Sequence, residues 1–510
     1  MYNLPQIHGW IIILFAVKFK CMRKTGIIAL AVLLAAMLVS CDLLPSLNWN
    51  PDNMDTLEEN SFYAQNMTNK KYYKVKAEMM WVGTYCVIWA EKGSGISQNN
   101  AKDIAVKYDT VIRPRVVDAF SNRNFSIREN GTDYYFSDML DYANFQAGRD
   151  DRKLTILLLD IKDGFKNPGT DSYVAGYFFS GNFEPQGKIN GSIHYSNHRD
   201  MIYVDTDPGL KTELEQTYAT LAHELQHLIN YITSVQMNRG NAMDTWIDEG
   251  LSSQAEYLYL EKNPKDKCEW FSNDREGTIA RGNNFFVWDN HSEPLAILDE
   301  YATVYLFFRW LYLQADNDLQ SHIFRDIATS NYYDYRAVTN VAQMINPAWY
   351  DWEILLGTWL AANYYPRNAE YGYKDDNYLQ NGDGRNFHGI NVNPISGTSI
   401  SLYPGEGVYS VIDNSFSPGT GSANIRYAGL SDSDGIDMSA PYTGNTLLTF
   451  NASTVVNNRT NPPKADTETG YLTGLPPSSA APRSAAGNAR TGITGPYRID
   501  ARDLLGRDWQ

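Results

Sequence analysis

The spacing of apolar and polar positions divides the chain into stretches of different period. KYYKVKAEMMWVGTYCVIWA (71–90) carries the aromatic and β-branched residues that strands favour. AKDIAVKYDTVIRPRVVDAF (101–120) has its apolar residues at helical spacing. KLTILLLDI (153–161) is an unbroken apolar run of strand length and predicts a central strand, with GYFFSGNF (176–183) and MIYVD (201–205) as two more. From Thr212 the period becomes helical: Leu214, Tyr218, Leu221, Leu225, Leu228 and Ile232 recur every three or four residues as one apolar stripe. Thr212, with Glu215 three residues on, reads as a capping box for that helix. A second helix is expected from about Thr245, and a third through DEYATVYLFFRWLYLQ (299–314).

These elements together predict an α+β protein. Its parts are an N-terminal α/β portion (71–205), a helical portion (206–375) and a small β-rich segment (390–475) in which turn residues separate runs such as TSISLY and GVYSVID. Residues 476–496 are rich in Ala, Pro, Ser and Gly, so 476–510 is expected as a flexible tail. No internal repeat is evident.

The N-terminus changes the picture. From Met22 the chain reads MRKTGIIALAVLLAAMLVSCDLL: two cations, an apolar run from Ile27 to Val39, then Leu38-Val39-Ser40-Cys41. This layout is that of a signal peptide, and 38–41 resembles the bacterial lipobox, in which the thiol is acylated and becomes the first residue. Residues 1–40 are therefore expected as a signal region with its true start at Met22, and 41–70, polar and punctuated by Pro and Asn, as a tether. The alternative, a single membrane span, needs a longer apolar run. The expected location is the cell envelope or outer surface, with Cys41 holding the protein to a membrane. Cys86 and Cys268 remain, and can form a disulfide or serve as two separate buried thiols.

Composition adds exclusions. A formal charge of −16 leaves no basic excess to neutralise phosphates, which speaks against nucleic acid as a partner. With four cysteines and no CxxC pair, a thiolate metal site is disfavoured. EKGSGIS (91–97) lacks the strand–helix frame of a phosphate loop.

The chemistry concentrates in TLAHELQHLIN (220–230). Residues four apart on a helix lie on one face about 6 Å apart, so His223 and His227 can turn ring nitrogens towards one ion. Zn²⁺ accepts such ligands in tetrahedral geometry. Glu224, beside the first histidine, is placed to act as general base on a water. A catalytic zinc keeps three protein ligands, and the third is sought in TWIDEGLSSQAEYLYLE (245–261). Glu249 opens that helix; Asp248 points about 100° away; Glu256, two turns on, shares the Glu249 face and is its rival. Tyr301 and His291 are candidate donors to a developing oxyanion. His194 and His198, in a turn-rich stretch, are read as cleft or surface residues.

HELQH followed by W-x-x-E-G resembles the gluzincin metallopeptidases and, within them, the hyicolysin family. LLLDIKDGF, VAGYFFSGNFE and SNHRDMIYVD stand in the family's order upstream, and YATVYLFFRWL follows the site. The match covers roughly residues 72–370. It implies a zincin-like catalytic domain with the HExxH motif on its active-site helix, one zinc per chain held by His223, His227 and Glu249, Glu224 as base, and peptide-bond hydrolysis on protein or peptide substrates. Two other expectations stand beside it: an inactive surface lipoprotein on the same fold, and a zinc hydrolase that does not act on peptides.

Overall fold

The computed structural model describes residues 60–146, 152–166, 172–189, 192–273, 282, 286, 297–381, 399–412, 415–417, 422–431, 435–454, 468–471 and 497–499. Residues Leu57–Gln510 form one compact unit. Strands β1 (Ser61–Gln65), β2 (Tyr72–Val82) and β3 (Cys86–Glu91) run as an antiparallel meander. Helices α1 (Gln98–Lys107) and α2 (Arg113–Phe120) follow, joined by a wide π turn at Tyr108–Ile112. That turn precedes Pro114, which has no N–H to give the ladder and crowds the preceding turn.

An antiparallel hairpin (Arg123–Glu129 with Thr132–Asp138) then leads to β4 (Leu154–Leu159), which pairs parallel to β3. All six residues of β4 are buried, as its unbroken apolar run requires. β5 (Gly176–Phe178) and β6 (Met201–Asp205) complete a six-stranded sheet of order β1-β2-β3-β4-β6-β5, with β6 parallel to β4 and β5 antiparallel to β6. The expected strand 176–183 stops at Phe178, and Ser180–Phe183 winds into a 3₁₀ turn.

β1 lies inside the segment expected as a tether. Its five residues are all buried, and Tyr63 is tied to Asn197 by two hydrogen bonds (N–H to Oδ1 2.8 Å; Nδ2–H to carbonyl 2.9 Å). With all five residues buried the strand has no inward–outward alternation to read, and its ends, Ser61 and Gln65, are polar.

The helical portion carries α3 (Leu214–Tyr231), α4 (Thr245–Leu260), α5 (Lys265–Asn273), α6 (Ile297–Gln314) and α7 (Trp352–Tyr364). Along the predicted stripe of α3, Leu221, Leu225, Leu228 and Ile232 are at most 1% exposed, each burial stabilising by about 1.5–3 kcal/mol. Leu214 is 45% exposed and does not belong to it. The capping box is also corrected. The helix begins after Glu213, Thr212 donates to the Pro208 carbonyl at 3.0 Å, and Glu215 accepts from the Tyr259 hydroxyl at 2.9 Å.

In the β-rich segment, β7 (Gly407–Val411), β8 (Ile425–Leu430), β9 (Ile436–Asp437) and β10 (Thr446–Asn451) form an antiparallel sheet of order β7-β10-β8-β9. Because side chains alternate along a strand, one face (Tyr409, Ala428, Leu430, Leu448, Phe450) joins the main core beneath α7. The other (Val408, Ile425, Tyr427, Leu447) closes a small core of its own. Within the expected tail, Tyr497–Ile499 pairs in parallel with Ser172–Val174. Cys86 and Cys268 are free, separately buried thiols. Among the described residues no helix is long and apolar enough to cross a membrane.

Candidate metal centre

The site is built where α3 meets α4. Four contacts run in opposite order along the two helices: Asn230 with Asp248, His227 with Ser252, His223 with Glu256, Tyr218 with Tyr259. The helices are therefore antiparallel, and the first turns of α4 lie beside His227. The stripe Glu249, Ser252, Glu256 recurs at three and four residues on the face turned to α3. Close packing behind it depends on Gly250, where a Cβ would stand 2.2 Å from ring carbons of Phe308 on α6.

His223 Nε2, His227 Nε2 and Glu249 Oε2 converge. The two nitrogens are 2.9 Å apart, and the carboxylate oxygen lies 3.3 and 3.5 Å from them. All three residues are buried and offer ligand atoms within 4.8 Å of one another. The other ring nitrogens are engaged: His223 Nδ1 is 2.8 Å from Glu256 Oε1, and His227 Nδ1 is 3.0 Å from both Asp248 Oδ1 and Ser252 Oγ. This network assigns the N–H to Nδ1 in each ring and the lone pair to each Nε2. Burial pushes His223 down to about 3, against the pull of the Glu256 hydrogen bond, so the ring is neutral near pH 7. That is the form a metal requires.

Glu224, 3% exposed, reaches the sheet, where its Oε2 accepts the Phe178 N–H of β5 at 2.9 Å. β5 comes this close because position 176 is glycine: a Cβ there would meet the Tyr203 carbonyl at 2.8 Å and the Thr220 methyl at 3.0 Å. Glu256, the rival ligand, faces Nδ1 of His223 and not the Nε2 atoms. Tyr301 is buried on α6, with the Lys267 ammonium 6.0 Å above its ring; Lys267 in turn bonds Glu256 at 3.0 Å. His291 and Cys41 lie outside the described residues. His198 adopts a left-handed backbone (φ 47°) and donates its N–H to Ser196 Oγ.

Ser252, Asn230 and Lys267 were not marked out by the sequence, and Asp248, set aside there as pointing away from Glu249, is a partner of His227. Asp248 takes hydrogen bonds from Asn230 at 2.5 Å and from His227. Its neighbour Ser252 donates to Gln226. The available signal was the density of polar residues on a helix also carrying Trp246, Ile247 and Leu251: polar groups buried there must find partners.

No family model matches the chain. The chain is similar to a metalloprotease. Over 273 residues it is 28% identical to the Neutral metalloprotease ShpI of Staphylococcus hyicus. Those residues make up 52% of this chain and 53% of that protein, so the chain spans about half the length of the curated relative it matches. The likeness supports a metallopeptidase relationship, and the mixed helix–sheet architecture with its buried His-His-Glu group is compatible with an α+β zincin-like fold.

Proposed function

We propose that the chain is a zinc-dependent metalloendopeptidase of the gluzincin, hyicolysin-like kind, exported and tethered to a membrane through a lipid on Cys41. The observation that carries the reading is the convergence of three electron-pair donors, His223 Nε2, His227 Nε2 and Glu249 Oε2, in a buried site. With both Nδ1 protons committed to partners, two lone pairs and a carboxylate face one another, and a cation relieves that repulsion. Two imidazoles and one carboxylate are the donor set of catalytic zinc in several hydrolases.

His223, His227 and Glu249 hold the ion in this reading. The chemistry zinc supplies when bound is Lewis acidity, polarising a carbonyl oxygen and acidifying water to a pKa of about 7. Glu224 accepts the proton of the attacking water on its carboxylate and returns it to the leaving amine. The Phe178 N–H fixes Glu224 Oε2, so the carboxylate is oriented before substrate arrives. Among the described residues β5 ends the sheet, and an extended peptide can add to such an edge; this favours peptide over other hydrolysable substrates. Tyr301 and His291 remain candidates for the oxyanion donor.

Glu224→Gln keeps the shape and removes the base. Zinc should stay bound while turnover falls at least about a hundredfold, whereas His223→Ala should lose the metal. Near-normal turnover in Glu224→Gln removes Glu224 from the mechanism.

A further inference from the structure

Lys267 is 6% exposed, on α5, outside both helices that carry the converging donors. An ammonium taken out of water costs several kcal/mol unless it is paired. Here the pair is Glu256, itself 0% exposed, with Nζ 3.0 Å from Oε1. That same oxygen lies 2.8 Å from His223 Nδ1. One carboxylate atom thus joins a buried cation to a histidine whose other nitrogen faces the donor cluster. The helix that delivers the lysine is fixed independently: Trp270 Nε1 donates to Asp299 on α6, and Cys268 and Phe271 are buried beside it.

We propose that Lys267 is a positioning residue for His223, acting through Glu256, and so helps to set how tightly the metal is held. The inference rests on the metal-site reading above. The ammonium and the Nδ1 proton meet Glu256 at one atom, Oε1, and the ammonium fixes that oxygen where it receives the proton. His223 then keeps one ring orientation and one tautomer, with Nε2 presented to Glu249 and His227. Partners of this outer kind contribute about ten- to a hundredfold to metal affinity.

The test compares zinc-loaded wild type, Lys267→Met, Glu256→Gln and the double variant. Zinc release to a competing chelator is followed in each, and the visible spectrum of each cobalt(II)-substituted protein is recorded. Lys267→Met should release zinc about tenfold faster or more and shift the cobalt bands, because the His223 ring moves. The double variant should behave as Glu256→Gln alone, since the lysine acts only through that carboxylate. Wild-type release and an unshifted spectrum in Lys267→Met overturn the proposal, as do effects that multiply in the double variant. Should Lys267→Met not fold, the double variant, which removes both buried charges, decides: release like Glu256→Gln supports the proposal, and a further tenfold loss overturns it. A wild-type chain that binds no zinc is a different result, and sinks the metal-site reading itself.

Discussion

Gly250→Ala adds one methyl group next to Glu249, and its effect can be worked from the packing. The new Cβ would stand 2.2 Å from Cδ2 and Cε2 of Phe308, while carbon atoms pack at about 3.5–4.0 Å. The shortfall is roughly 1.3 Å or more. The Phe308 ring has nowhere to retreat: it is fully buried, with Trp246 at 5.8 Å and Phe307 at 5.3 Å between ring centroids. α4 must therefore shift from α6, and Glu249 moves with it. In an unconstrained helix interior, Gly→Ala stabilises by about 1 kcal/mol. Here overpacking should reverse the sign, with a net loss of about 1–3 kcal/mol. Zinc retention should weaken as well, because a displacement approaching an ångström is large against the 3.3 and 3.5 Å gaps from Glu249 Oε2 to the histidines. Urea unfolding and chelator competition measure the two effects, and Phe308→Leu in the same chain should recover part of each. A Gly250→Ala protein as stable as wild type, with unchanged zinc retention, refutes the packing argument.

Three further outcomes are expected. Glu249→Ala should leave bound zinc well below one per chain after dialysis against a weak chelator, while Glu256→Gln weakens retention about ten- to a hundredfold without abolishing binding; zinc lost from the Glu256 variant but kept by the Glu249 variant reverses the assignment. Burial raises Asp205 to about 7, partly opposed by N–H donors from Gly209 and Ile161. The folded state then holds a proton that the unfolded state releases above about 4, so this group's contribution to stability falls as pH rises from about 4 to 7 and is flat beyond. Asp205→Asn should lack that component, and urea midpoints for both proteins at pH 4.5 and 7.5 that change in parallel contradict it. For the proposed anchor, Cys41→Ala should abolish fatty-acid labelling and leave the membrane fraction, and unchanged labelling removes the lipid from the account.

Much of the fold was legible because burial leaves a period in the sequence. The apolar run at 153–161 has a buried strand, Leu154–Leu159, at its centre, and the helix expected at 299–314 spans Ile297–Gln314. What failed to show had weaker physical signals. β1 is buried at every position, so it leaves no alternation in the sequence, and its polar ends hide it. The 3₁₀ turn at Ser180–Phe183 follows directly on the apolar run Tyr177–Phe179 and buries Phe183, so the stretch reads as one continued strand. Thr212 and Glu215 satisfy a capping pattern locally, but Thr212 bonds the Pro208 carbonyl four residues back and Glu215 the Tyr259 hydroxyl on α4, a partner that only the tertiary structure supplies. At the site, the i, i+4 spacing of His223 and His227 states that they share a face. It cannot state which of two carboxylates seven residues apart meets Nε2 and which meets Nδ1, since that depends on where α4 crosses α3. Lys267 was invisible for a similar reason: a lysine is ordinarily solvent-exposed, and only the position of α5 takes this one inside.

In the proposed function His223, His227 and Glu249 hold a zinc ion that serves peptide-bond hydrolysis. The most direct test of that function is one preparation of the purified chain, assayed for zinc content and casein cleavage before chelation, after it, and after zinc is returned. One zinc per chain is expected, with cleavage lost when the metal is removed and restored when it returns. Cleavage that persists in the zinc-free chain, or a zinc-loaded chain that cleaves nothing, contradicts it.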